Sequence, residues 1–326
     1  MTVVSRKWRL KSSASARPLD WALLAALVAV SGSAFVMIRA AVATVPPPVV
    51  ACARLWIGAV VMVLVMLAAG RKFPPLFMRS ARGLALHPSW APILGVSLIG
   101  YTIPYFIFPW AQQYIESGLA GVYMAFMPIW TIFLAHLFAG ERLTAGKLAG
   151  FALGFVGVLV LLGPDVLGGA AHSSVIAQAS LLVATFCYAV SAIIARRTRA
   201  IRPRVFTAGA ILGAAIFATP ALFFVDLHAG KWSISSVASL IALAVGPTGL
   251  AGLILIVIIK RAGAGFMALA NYLVPVWAIF LGALLFGERL ESRVFLALAI
   301  ILTGVAISQR RAKTAAAVAP APAGAE

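Results

Sequence analysis

The stretch Pro128–Leu143, PIWTIFLAHLFAGERL, is written a second time as Pro275–Leu290, PVWAIFLGALLFGERL. Ten of the 16 aligned positions are identical at a constant offset of 147 (275 − 128), and Gly157 and Gly304 keep that offset. Self-similarity of this length, a little under half a chain apart, marks an internal duplication. Each copy is apolar up to its Gly-Glu-Arg, so the duplicated unit is made of apolar helices.

The rest of the chain has the same character. Hydrophobic residues make up 63% and charged residues 10%, where a water-covered surface needs about a quarter charged residues. The outer surface therefore faces lipid. The formal charge of +18 does not point to nucleic acid, because the Lys and Arg residues sit in short bursts between apolar runs, as in cytoplasmic loops. Cys52 and Cys187 both fall inside apolar runs, so neither a disulfide framework nor a metal site is expected. No His/Asp/Ser grouping, HExxH or phosphate loop is present, and neither an enzyme nor a cofactor is expected.

A spanning helix needs about 20 mostly apolar residues. Ten stretches qualify: 20–42, 49–69, 91–111, 117–138, 146–163, 174–196, 205–227, 237–259, 265–286 and 294–309. Helices are the expected spanning form, since backbone groups cannot stay unpaired in lipid. The basic segment before Trp21 mimics a signal peptide, but the many spans that follow favour an uncleaved first span. The expected organisation is a basic cytoplasmic segment 1–19, a first repeat 20–165, a second repeat 170–311 and an Ala/Pro-rich disordered tail 312–326.

Lys and Arg set the orientation. With the N-terminus inside, the inside segments hold 21 of the 26 basic residues, and the outside loops hold Lys231, Arg289 and Arg293. Both termini are thus expected in the cytoplasm. Five spans per half is an odd number, so the second half enters from the opposite side. Inverted repeats of this kind place a binding site near the midplane between the halves.

These features resemble the drug/metabolite transporter superfamily, EamA branch. The paired Pro…GER segments carry the resemblance, with Gly146, Gly150, Gly154 and Gly157, and Arg54 in ACARLWIGA. YMAFMP (123–128) and MALANYLVP (267–275) match the starts of that family's fourth and ninth spans. The second half departs from the pattern, with Leu296 and Ala299 where a glycine ladder would continue. The resemblance implies two five-span repeats in an inner membrane. It also implies a secondary transporter that moves amino acids or related metabolites, often outward. A carrier of lipophilic drugs and a non-transporting scaffold or sensor are the alternatives. A homodimer is left open.

The candidate substrate-binding residues are Arg39, Arg54, Tyr101, Tyr105, Gln112, Tyr123, Trp130, Tyr188, Asn271, Tyr272 and Trp277. An intramembrane arginine is costly unless paired or hydrated, so Arg39 and Arg54 either attract a substrate carboxylate or snorkel to headgroups. Tyr101, Tyr105, Phe108 and Gln112, spaced 4, 3 and 4 apart, share one helix face. Tyr123, Met127 and Trp130 share another. Trp130 and Trp277 are repeat equivalents that either pack between the repeats or wall the cavity. Asn271 is a polar side chain inside a span, bonded across helices or to substrate. The carboxylates Asp20, Glu116, Glu141, Asp165, Asp226, Glu288, Glu291 and Glu326 all fall at span ends, in loops or in the tail. This suggests uncoupled transport, or coupling through an end-placed group such as Glu116. Glu141 and Glu288 are read as helix-end markers that satisfy local ion pairs and orphan backbone groups. Pro128 and Pro275 are expected to bend spans 4 and 9.

Overall fold

The computed structural model describes residues 17–80, 83–139, 144–167, 172–198, 201–226, 231–262, 264–267 and 269–317. Glu141 and Arg142 of the first GERL, most of the basic segment 1–19 and residues 318–326 lie outside these. Among the described residues, seven helices are long and apolar enough to cross a membrane, and three shorter apolar helices cover Ala145–Leu161, Ala270–Phe286 and Ser292–Ser308. Large apolar side chains such as Phe155, Leu159, Phe280 and Leu284 stand on the outside of the bundle, an apolar exterior that a monomer in water does not carry.

The first half consists of α1 (Pro18–Val42), α2 (Pro47–Ala68), α3 (Trp90–Val96), α4 (Ile103–Ala111), α5 (Ser117–Met124), α6 (Met127–Ala139) and α7 (Ala145–Leu167). The second consists of α8 (His172–Arg197), α9 (Pro203–Ala218), α10 (Ile234–Leu243), α11 (Ala251–Ala262), α12 (Ala264–Met267), α13 (Ala270–Phe286) and α14 (Ser292–Ala317). One element departs from an all-helical reading. Residues between α2 and α3 form an antiparallel hairpin, β1 (Phe77–Ser80) with β2 (Gly83–Leu86), in the register Phe77↔Leu86 to Ser80↔Gly83. Gly83 takes φ 109° beside the turn, a conformation that a side chain disfavours. The Trp90 indole donates to the Pro75 carbonyl at 3.1 Å and ties the hairpin to α3. At the other end of the chain, α14 runs on to Ala317, six residues into the stretch read as a disordered tail. Ala312 and Ala315–Ala317 have the helix propensity to carry it.

Packing is symmetric under exchange of the halves. α2 packs on α9, α5 on α13, and α7 on α14, each pair joining equivalent stretches. α1 packs on α10, α11 and α13; correspondingly, α8 packs on α3, α4 and α6. The α7–α14 crossing is made possible by glycine. A Cβ on Gly150 would strike the Gly304 carbonyl, and one on Gly157 would meet Ile301 at 2.6 Å. Small residues allow such close backbone approach. The missing second ladder is accounted for here: α14 presents Ala297, Ile301, Gly304 and Ser308 to glycines that α7 supplies.

Two wide turns interrupt the helices. Ser97–Thr102 joins α3 to α4, and Ala244–Leu250 joins α10 to α11, both as π-helix. They begin at the duplication offset of 147 (244 − 97). The chain also breaks at Ala125–Phe126, between α5 and α6, and before Ala270. The first of these precedes Pro128, which has no N–H to give the Met124 carbonyl. Pro275, in contrast, lies inside the continuous helix α13, so the second break falls earlier than the proline suggested.

Candidate solute-binding site

A cavity of ≈ 150 Å³ lies among both halves. α1 lines it with Ser31, Ala34, Phe35 and Ile38; α2 gives Arg54, α4 Phe108, α5 Met124, α8 Tyr188, and the second π turn Pro247. Arg54 is the one charged residue in that lining. Its position traces back to Pro247. The ring removes the N–H that would bond the Leu243 carbonyl, and the Thr248 hydroxyl donates to that carbonyl instead, at 3.2 Å. The oriented hydroxyl then accepts a hydrogen bond from Arg54 Nε at 2.8 Å. On its other side the guanidinium lies 4.0 Å from the Tyr105 ring centroid. α2 can approach this turn because Gly58 faces Thr248, where a Cβ would come within 2.7 Å of the methyl. Arg54 is thus held by a neutral hydroxyl and an aromatic face, and its charge is left uncancelled by any printed carboxylate contact.

Tyr105 packs edge-on to Tyr101 at 5.6 Å, and Tyr188 lies 6.2 Å from Phe108. The Tyr101 and Tyr188 hydroxyls fall within electrostatic reach of Arg54. The structure therefore brings Arg54, Tyr101, Tyr105 and Tyr188 together. The first π turn mirrors the second, with the Thr102 hydroxyl donating to the Ser97 carbonyl at 2.9 Å.

The other candidates lie elsewhere. Tyr123 is buried in the core, and its hydroxyl donates to Gln178 Oε1 at 2.8 Å. Trp130 packs against Phe126, Phe151 and Phe186, the last of these on α8. Trp277 sits on Gly32 of α1 and donates to Ser33 Oγ at 3.2 Å. Each tryptophan thus packs against the opposite half. Asn271 is exposed in the first turn of α13, so it is not the mid-helix polar group that the span boundaries implied, and Tyr272 is half-buried beside the core. Ser31, Phe35, Met124 and Thr248 were not singled out by sequence; small and apolar residues carry no signal of their own.

Arg39 and Gln112 line a second, larger pocket of ≈ 570 Å³, where α1 ends and α5 begins. Beside it lies a clasp. Glu288, just after α13, accepts from Ser117 N–H at 2.9 Å, Ser117 Oγ at 2.7 Å and Gly118 N–H at 2.9 Å. It caps the first turn of α5, a helix of the other half, where orphan donors and the positive dipole end favour a carboxylate. Arg39 Nε lies 3.4 Å from Glu288 Oε1, and Arg39 Nη1 donates to the Ile115 carbonyl at 3.1 Å. The helix-end reading of Glu288 holds, but its ion partner is Arg39 and not the adjacent Arg289. Gln112 is 3% exposed and neither amide atom has a partner among the described residues. Glu116, also in the pocket lining, has its carboxyl pushed up from its usual value by burial, then by Glu288, with Arg39 opposing. At the other end of the bundle, Asp20 pairs with Arg261 at 2.7 Å. Among the described residues no cluster of three His, Cys, Asp or Glu could hold a metal ion.

Broken apolar helices around a cavity shared by two similar halves define the class of polytopic membrane transport proteins. The EamA-like transporter family model matches residues 19–163 and 175–309, and the chain belongs to that family. It is similar to the uncharacterized inner membrane transporter YedA of Escherichia coli (strain K12), 27% identical over 300 residues, covering 89% of this chain and 90% of the relative. It is also similar to a probable amino-acid metabolite efflux pump of the same strain, 28% identical over 307 residues, covering 89% and 94%. A solved crystal structure shares the fold at TM-score 0.61 and 20% identity, covering 92% of this chain and 99% of the other.

Proposed function

We propose that the chain is a secondary transporter that exports amino acids or related metabolites across the inner membrane by alternating access. In this reading ten spans form two inverted five-helix repeats with both termini in the cytoplasm. The observation that carries it is Arg54, a buried cation set by Thr248 and Tyr105 in a cavity walled by Phe35, Phe108 and Tyr188. A guanidinium in such a setting attracts a carboxylate, and the aromatic wall accepts an apolar side chain. A lipophilic cation would meet the wrong charge. The similarity to an amino-acid metabolite efflux pump agrees with this.

Packing supports the alternating-access part. α5 packs on α13 at the clasp, while α6 packs on α7 and α8. The two broken helices therefore meet at the Glu288 end and diverge beyond it, as in a state closed at one side. The test is counterflow of a labelled amino-acid panel in proteoliposomes, with and without a pH gradient. Flux of at least one carboxylate-bearing solute is expected, and Arg54→Gln lowers it by roughly ten- to a hundredfold, the loss of one charge-assisted contact. Arg54→Lys does not restore it, because an ammonium cannot serve Thr248 and the Tyr105 face in the same geometry. No flux across the panel, or flux indifferent to Arg54, rejects the reading.

A further inference from the structure

The clasp is held unequally. Glu288 receives three short hydrogen bonds from Ser117 and Gly118, and its side chain is 3% exposed. It is boxed in by Gly282, where an added Cβ would collide with the carboxylate. Arg39 is the loose partner: its contact to Glu288 is 3.4 Å long and its side chain is 34% exposed. Its guanidinium lies over the Phe286 ring at 5.6 Å and faces the ≈ 570 Å³ pocket. That volume falls in the range of small-molecule sites. If Arg39 turns away, Glu288 keeps its three donors, so neither charge is stranded.

We propose that the Arg39 pocket is a second solute subsite, in which a solute carboxylate replaces Glu288 as the partner of the Arg39 guanidinium. It rests on the reading of the chain as a carrier of carboxylate-bearing solutes. Glu116 lines the same pocket and offers an acceptor to the ammonium of a zwitterion. Because Arg39 belongs to α1 and Glu288 follows α13, a solute that takes Arg39 also removes one tie between the halves. Arrival of solute at this end thereby loosens the closed side.

The test follows binding of 3-phenylpropionate to the purified full chain by saturation-transfer NMR, with 2-phenylethylamine as the carboxylate-free control. In an Arg54→Gln background, which silences the central cavity, the carboxylate probe still binds and the amine binds more weakly. Adding Arg39→Gln abolishes that binding. Adding Glu288→Gln instead strengthens it about tenfold, since a charge-assisted competitor is removed. With Arg54 present, the two variants still shift total probe binding in opposite directions, which keeps the question answerable if Arg54→Gln folds poorly. Binding indifferent to Arg39→Gln, or moved in the same direction by both variants, overturns the subsite. Amino-acid flux alongside Arg39-independent binding would overturn the subsite alone. Arg39-dependent binding without flux would overturn the carrier reading alone.

Discussion

At the scale of single residues, Glu288 concentrates more interactions than any other carboxylate described here, joining α13, α5 and α1. Its replacement by glutamine puts an amide donor against backbone donors and should cost about 2 kcal/mol, read as a lowered midpoint in a detergent thermal-shift assay. Gly282→Ala should match that loss, because the new methyl occupies the carboxylate's place. Gly252→Ala, where nothing lies within 4 Å, is the neutral control. Glu116 gives the pH dependence. Its carboxyl is raised from the model value of 4.5 in the folded chain, chiefly by burial, so the folded state holds a proton that the unfolded state has released. Stability contributed at this group is present below pH 4.5 and declines as pH rises toward the folded value. Glu116→Gln should flatten that decline in a thermal-shift series from pH 4 upward. Arg54 was legible in the sequence as an arginine inside an apolar run. Its partner was not: Thr248 is 194 residues away, and only the folded π turn aims its hydroxyl. Asn271 shows the reverse error, a polar residue made conspicuous by span boundaries that the helix start at Ala270 displaces.

At the scale of helices, periodicity and the 147-residue offset located the elements well, because apolar patterning is written along one dimension. What it could not give is how each helix is interrupted. Proline marked Pro128 and Pro275 alike, yet only Pro128 sits at a break, since a proline's effect depends on whether neighbours re-satisfy the freed carbonyl. The α7–α14 crossing makes the sharpest element-scale prediction. Gly150→Leu must push α7 off the Gly304 backbone, and should lower the thermal midpoint far more than Gly246→Leu, whose nearest neighbour is Val30 at 3.6 Å. Equal shifts would mean that the crossing is not closely packed in solution.

For the whole molecule, the charge bias assigns one end of the bundle, with Arg71, Lys72, Arg196, Arg197 and Arg202, to the cytoplasm. Buried Cys52 and Cys187 leave a quiet background for labelling. An impermeant maleimide applied to intact cells should modify Lys231→Cys and leave Lys72→Cys untouched until the membrane is opened. Labelling of residue 72 from outside would invert the molecule and exchange the cell faces assigned to the clasp and the basic end.

The paired π turns carry a consequence for the history of the chain. A π turn holds one residue more than the α-helix it interrupts, and one residue turns a helix by about 100°. The surplus residue is what swings Tyr105 and Phe108 to face the cavity. A deletion within 97–102 would rotate both away and leave their helix intact. Since the same surplus occurs at 244–250, it was inherited with the copied segment. The ancestor that was half this length already carried it, so the kink is older than the cavity that two such halves now enclose.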